Sequence, residues 1–212
     1  MKVLSWIFLI FMTILALPMT SCGPTEKEKA IDKLEAREIY PEDYEQELWR
    51  AIDSNRSGTV RLLIRAGLDI NSMRDAEFQA SPLIMSIIRK KPDVARELIR
   101  SGALINEVNK YGNTALGDAF YHQQYELIDE LLRAGADVKH IEQNQDTMLI
   151  IAARHGQRKY VKLFLKKGLD INAKNERGES ALSAALKAKH WDVVRELETA
   201  GADTTEVDMS DV

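Results

Sequence analysis

Few side chains in this sequence combine the type and the spacing that chemistry at an active site requires. The single cysteine, Cys22, has a thiol that acts as a nucleophile or accepts a covalent group. His122 and His155 are two imidazoles that can share a metal ion, but no third ligand accompanies them, so we interpret them as exposed turn residues. The sequence has no glycine-rich phosphate loop, nucleophile elbow or zinc ribbon. We therefore expect no catalytic residues, no metal site and no cofactor; an enzyme with an unrecognised site is the alternative.

The residues before Cys22 have the layout of a secretory signal peptide. Lys2 precedes an apolar run from Val3 to Leu17, and small polar residues follow it. The run is shorter than the ~20 residues that a membrane-spanning helix needs. The tetrapeptide MTSC that ends at Cys22 resembles a bacterial lipobox, with Met19 where that motif usually has Leu, Val or Ile.

The lipobox resemblance implies a specific maturation and location. Residues 1–21 would be the signal peptide, and Cys22 would be lipidated and become the mature N-terminus. The protein would then be anchored by lipid to a bacterial cell envelope, on its periplasmic or cell-surface face. The alternatives are an uncleaved N-terminal membrane anchor and a secreted chain whose signal is cut elsewhere.

The composition is that of an ordinary globular protein, with 45% hydrophobic and 29% charged residues among 212. The net charge of −4 gives no attraction to nucleic acid, so we expect no nucleic-acid partner. The charge is nevertheless uneven. Residues 147–179 have eight basic and three acidic side chains (+5), whereas residues 114–146 have two and seven (−5). This pattern indicates either a basic patch for an acidic partner or, as we favour, neutralisation between neighbouring segments.

The pentapeptide GLDIN occurs at 67–71 and again at 168–172, 101 residues later. Further copies of a longer unit begin with SPL at 81, TAL at 114, TML at 147 and SAL at 180, each 33 residues after the one before. An earlier copy begins with QEL at 46. A small residue follows each start after five positions, and a glycine after 21. The interval of 101 is three units of 33 plus two. The chain therefore contains an internal repeat of 33 residues, and the loop between 67 and 81 is two residues longer than the other loops.

Each repeat predicts two helices. In the third repeat, Thr114 stands at the N-cap of a helix that extends to Tyr121, and apolar residues recur at helical spacing within it. A second helix is predicted from about Gln124 to Ala134, and Gly135 ends it in the left-handed conformation. Neither helix buries its apolar face alone, so neighbouring repeats must stack.

The repeat resembles the ankyrin repeat in period, in TALGDA and LLRAGAD, and in LKKGLDINAKNERGESAL. The family's histidine is replaced in all five copies, by Gly117 in the third. The resemblance implies an all-α solenoid of about five helix–loop–helix repeats, spanning 46–80, 81–113, 114–146, 147–179 and 180–212.

Both ends of the array differ from its interior. Glu198 stands where the other repeats have Ile or Leu, so we expect a polar cap after the fifth repeat. Before the first repeat, Thr25 and Glu28 form a capping-box pattern ahead of a short apolar stripe, and Pro41 stops any helix. We interpret residues 22–45 as the lipid-attachment cysteine followed by an acidic helical tether that docks on the first repeat.

The ankyrin resemblance implies binding of a protein partner by the loop tips and the ends of the first helices. Alignment places these positions at Phe78, Lys110, Tyr111, Asn113, Tyr121, His122, Arg154, His155 and Arg177. We expect a non-enzymatic, monomeric interaction module tethered to the envelope. The alternative is an immunity or host-directed effector protein that binds one foreign target, which differs from the first interpretation only in the identity of the partner.

Overall fold

The computed structural model describes residues 23–205, and within them it is all-helical. A single isolated bridge joins Val108 to Thr114, and short 3-10 turns cover Pro41–Asp43 and Gln143–Gln145. The helices are α1 Glu26–Glu35, α2 Tyr44–Asp53, α3 Ser57–Ala66, α4 Pro82–Ile88, α5 Pro92–Arg100, α6 Ala115–Tyr121, α7 Tyr125–Arg133, α8 Met148–Arg154, α9 Arg158–Lys166, α10 Ala181–Lys187 and α11 Trp191–Thr199. The predicted all-α class is confirmed.

Helices α2 to α11 form five consecutive pairs that stack into a solenoid. The first helices of the pairs, α2, α4, α6, α8 and α10, pack on one another as an inner layer, and the second helices form an outer layer. The helices predicted in the third repeat are confirmed to within one residue, and the hydroxyl of Thr114 caps α6 by accepting from the Gly117 N–H. The glycine that follows each pair has a positive φ, from 79° at Gly168 to 111° at Gly67.

An asparagine four residues after the glycine fastens each of three repeats to the next. Asn106 donates from Nδ2 to the carbonyl of Gly135 at 3.1 Å, and its Oδ1 accepts from the Asp137 N–H at 2.9 Å. Asn71 makes the same two bonds to the second repeat, and Asn172 accepts one from the fifth. The repeated GLDIN therefore marks an inter-repeat hydrogen bond, since its last residue is this asparagine.

The lengthened loop keeps its shape through one carboxylate. Asp75 is buried and accepts from the backbone N–H groups of Glu77, Phe78 and Ala80, at 2.8 to 3.2 Å. Asn109 accepts from two loop N–H groups at the equivalent place in the next repeat. Relative to that repeat, one of the two extra residues lies between Gly67 and Asp75, and the other lies at the loop tip that carries Phe78.

The core is continuous, and among the described residues it extends from Ala30 to Ala202. Its largest side chains include Phe120 and Phe164, which with Tyr160 form an aromatic cluster with ring centroids 5.4 to 6.3 Å apart. Since α1 and all five repeats share this core, the described segment has what a domain needs to fold by itself.

Helix α1 is docked on the first repeat. Thr25 and Glu28 form the predicted capping box, and Ala30 and Leu34 are buried against α3. The predicted tether is therefore part of the fold from Thr25 onward. The first repeat also begins earlier than predicted: the predicted boundary at 46 falls inside α2, because the turn at Pro41–Asp43 leads directly into a helix.

The C-terminal end is less polar than predicted. Glu198 is exposed on the last helix, as expected of a cap. Beside it, however, Leu182, Leu186 and Val194 line an open groove of about 330 Å³ together with Trp191, which is 49% exposed. Glu198 alone therefore does not make the end of the fifth repeat polar, and part of its apolar stacking surface stays open.

Ion pairs connect neighbouring repeats across the outer layer, as the neutralisation interpretation of the charge pattern predicts. Each pair joins successive outer helices: Arg61–Glu97, Arg96–Glu130, Lys159–Asp129 and Arg158–Glu196, with nitrogen–oxygen distances of 2.5 to 2.8 Å. At least one member of each pair is partly or fully solvent-exposed, and ion pairs at a protein surface add little to stability. Their main consequence is that the +5 repeat is flanked by its counter-charges.

Three predictions lie wholly or partly outside the described residues. These are the signal peptide at 1–21, lipidation of Cys22, and the end of the fifth repeat at 206–212. Within residues 23–205, no helix has both the length and the apolar character to cross a membrane.

Candidate protein-binding groove

The loop tips and the inner-helix ends of repeats two to four surround one groove of about 440 Å³. Seven of the nine predicted contact residues line it: Phe78, Tyr111, Asn113, Tyr121, His122, Arg154 and Arg177. The remaining two, Lys110 and His155, contact rings of that set. The structure thus brings all nine positions together, although it assigns them different environments.

The rings of Tyr111 and Phe78 and the side chain of Lys110 form one wall of the groove, in which Phe78 is half-buried. Tyr111 is 46% exposed, and its ring centroid lies 6.3 Å from that of Phe78 in an edge-to-face arrangement. The Nζ atom of Lys110 lies 5.0 Å from the Tyr111 centroid and 5.6 Å from that of Phe78. The backbone N–H of Lys110 also donates to the Phe78 carbonyl at 2.8 Å. This wall is a large aromatic surface held by a backbone contact between two loops.

Tyr121 is a packing residue more than a rim residue. Its ring is half-buried, lies edge-to-face with His155 at 6.4 Å, and packs against the core. Its hydroxyl donates to Oδ2 of Asp146 at 3.1 Å, and burial raises the pKa of the phenol above its usual range. Tyr121 therefore differs from the exposed Tyr111, because the next loop supplies a buried acceptor for its hydroxyl.

Arg154 is held by two carboxylates. It donates to both oxygens of buried Asp146 at 2.7 and 3.0 Å, and to Glu179 at 2.5 Å. The Arg154 bonds keep the pKa of Asp146 below its usual range even though burial opposes this. Arg177 is different: its side chain is 61% exposed and its guanidinium lies 3.8 Å from Glu179. Of the two arginines, Arg177 is therefore the one available to a partner.

The two histidines are half-buried, so their interpretation as exposed turn residues is corrected. Burial lowers the pKa of both imidazoles, and neighbouring Lys90 and Arg154 lower it further. They end adjacent inner helices, whose close stacking shields them from solvent. Across the described residues, no group of three potential ligands is placed to hold a metal ion.

Asn113 is buried and forms a hydrogen bond that connects two neighbouring loops. Its Oδ1 accepts from the Gln143 N–H at 3.0 Å, which joins the tip of the third repeat to that of the fourth. A further bond, from the Glu176 N–H to the Asn144 carbonyl at 3.0 Å, continues the connection to the next tip. These bonds give the groove a fixed wall.

Asp118, which the sequence analysis did not single out, lies at the floor of the groove and is only 4% exposed. It accepts from Asn109 at 3.1 Å and from Asn113 at 3.4 Å, and burial raises its pKa to about 7. The equivalent residues of repeats two and four are buried and apolar, Met85 and Ile151. An acid at a position where the aligned repeats have apolar residues is the feature of the sequence that distinguishes Asp118.

A second buried carboxylate lies behind the groove. Glu142 accepts from the backbone N–H of Thr114 at 2.8 Å and from its hydroxyl at 2.5 Å, and burial raises its pKa. A Cβ atom at Gly117 would lie 2.4 Å from the carboxyl carbon of Glu142. Gly117 therefore replaces the histidine of the ankyrin motif because the carboxylate occupies its space.

The chemistry of this groove is that of recognition. It combines an aromatic wall, a buried acceptor at the floor and one available arginine at the rim. Among the described residues that line it, no serine, threonine or cysteine accompanies the acids and His122.

Comparison with known families accords with this architecture. A family model described as ankyrin repeats in three copies matches residues 48–142 and 119–208. No curated protein matches the sequence. Proteins built from this repeat are in general non-enzymatic modules that bind other proteins. With nearly all of its repeat region matched, the chain belongs to the ankyrin-repeat family.

Proposed function

We propose that this protein is a non-enzymatic interaction module that binds a protein partner in the groove between repeats two and four. The observation that supports this proposal is the exposed ring of Tyr111 beside the half-buried ring of Phe78, an apolar surface that a free protein gains nothing by leaving open to water. Tyrosine and arginine are the side chains that most often dominate interface energy, and Arg177 stands at the same groove.

We further propose that lipid on Cys22 tethers this module to a bacterial envelope. The support is the signal-like sequence before Cys22. Only Gly23 and Pro24 separate Cys22 from Thr25, the cap of α1. The three steps from Cys22 to Thr25 span at most about 11 Å, so the domain would lie close to the membrane surface.

Affinity capture from the envelope fraction tests the interaction. Tyr111→Ala should weaken partner capture by at least about tenfold while the melting temperature stays nearly unchanged, because Tyr111 is exposed. Tyr121→Ala should instead lower the melting temperature, since its ring is packed. Full capture by the Tyr111 variant would place binding elsewhere, with the basic repeat at 147–179 as the next candidate.

Fatty-acid labelling tests the anchor separately. Cys22→Ser should abolish the label and release the protein from membranes. Unchanged labelling of the variant would exclude lipidation at this position.

A further inference from the structure

The carboxylate of Asp118 is an acceptor with unused capacity at the floor of the groove. Its two oxygens each receive one bond, from the neutral amides of Asn109 and Asn113. A carboxylate offers about four lone-pair positions, so roughly half remain open. Among the described residues, no lysine or arginine forms an ion pair with it; the nearby Arg154 is bound to Asp146 and Glu179.

The position of this carboxylate is costly to the fold. Met85 and Ile151 occupy the equivalent positions on the neighbouring inner helices, and both are buried. An isolated charge among apolar neighbours destabilises a protein unless a partner compensates it. The two amides alone compensate incompletely, and Asp118 is one of the residues that line the groove.

The walls above Asp118 suit a cation. The faces of aromatic rings attract ammonium and guanidinium groups. The Phe78–Tyr111 pair already demonstrates this with Lys110 of the same chain, whose Nζ atom lies 5.0 Å from one ring centroid and 5.6 Å from the other. An aromatic wall and a buried carboxylate that line one groove are an arrangement that recognises a long cationic side chain.

We propose that the groove accepts a lysine or arginine side chain of the partner, with its charged end against Asp118 and its aliphatic stem along Phe78 and Tyr111. This inference rests on the proposed function, because it names what the partner presents to the same groove. Binding weakens as the pH falls and Asp118 is protonated. The other titratable or charged groups that line the groove are Tyr111, Tyr121, His122, Asp146, Arg154 and Arg177, and Glu142 lies behind it.

Blocked pentapeptides that differ only in the central residue test this chemistry. The probes have lysine, arginine, norleucine or glutamate at the centre, and the protein is residues 22–212 with Cys22→Ser, which includes the whole described core. Titration followed by NMR should show the lysine or arginine peptide binding at least about tenfold more tightly than the norleucine peptide. The carboxyl carbon of Asp118 should titrate at lower pH when that peptide is bound.

Matched variants separate a direct contact from a structural role. Asp118→Asn keeps the size of the side chain and should remove the preference for a cation, whereas Asp192→Asn, an exposed acid on α11, should keep it. Equal binding of lysine and norleucine peptides, preference for glutamate, no binding of any peptide, or an unchanged preference in Asp118→Asn would overturn the inference. If Tyr111→Ala still loses partner capture in those cases, the interaction module stands and only the cation site fails.

Discussion

At the scale of single residues, Asp118 makes stability depend on pH. Burial raises its pKa from 3.8 to about 7, so between those values the folded protein holds a proton that the unfolded chain has released. The free energy of unfolding therefore falls as the pH rises from about 4 to about 7, and the loss remains above that range. Glu142 acts in the same direction, since burial raises its pKa as well.

Replacing Asp118 tests this dependence. The difference in unfolding free energy between Asp118→Asn and wild type should be larger at about pH 8 than at about pH 4, in favour of the variant. The increase should be up to about 4 kcal/mol, since the pKa of Asp118 is raised by roughly three units. Urea unfolding at both pH values measures it. Glu142 remains in both proteins, so its contribution largely cancels in the difference. A wild type and variant whose difference is the same at both pH values would show that Asp118 is not buried as described.

Asn106 stabilises the junction between the second and third repeats. Asn106→Ala removes two hydrogen bonds to the backbone of the third repeat and should cost about 1–3 kcal/mol. Lys139→Ala is the matched control, because Lys139 follows Gly135 at the same offset and its exposed side chain makes no such bonds. Equal losses of unfolding free energy in the two variants would contradict the inter-repeat role of the asparagine.

At the scale of elements, one leucine per repeat fixes the inner layer. Leu116 and Leu149 occupy equivalent sites and are buried, so truncation of either to Ala should cost about 2–5 kcal/mol. Leu182 lines the open groove at the C-terminal end, and we expect a smaller loss there because fewer neighbours enclose it. Chemical denaturation measures all three. A loss below about 1 kcal/mol at Leu116 would mean that the repeat register is wrong.

The elements were largely predictable from the sequence because each repeat states the same pattern again. Five glycines in register fix the ends of the outer helices, and Thr114 fixes the start of an inner one. What the sequence did not reveal depends on contacts between repeats: the hydroxyl of Tyr121 finds Asp146 one loop away, and Glu142 fills the space above Gly117. The position of Asp118 was visible in the alignment, but its burial and its place at the groove floor required the stacked helices.

At the scale of the whole molecule, the ends of the solenoid limit its growth. Helix α1 covers the first repeat, whereas the fifth retains an apolar groove beside Glu198. Glu198→Leu should enlarge that apolar surface and promote self-association, which light scattering detects as a rising mass with concentration. Lys166→Leu adds the same side chain to an exposed position of the fourth repeat and should have a smaller effect. A Glu198 variant that remains monomeric at high concentration would argue that this face does not control assembly.

The proposed position of the partner is the groove between repeats two and four. A photo-crosslinking amino acid placed at 111, at 177 or at 133 and activated in intact cells tests it most directly. Position 133, the last residue of α7, is exposed outside the groove and serves as the control. We expect the same crosslinked partner at 111 and 177, and none at 133. Crosslinking at 133 alone, or equally at all three positions, would contradict it.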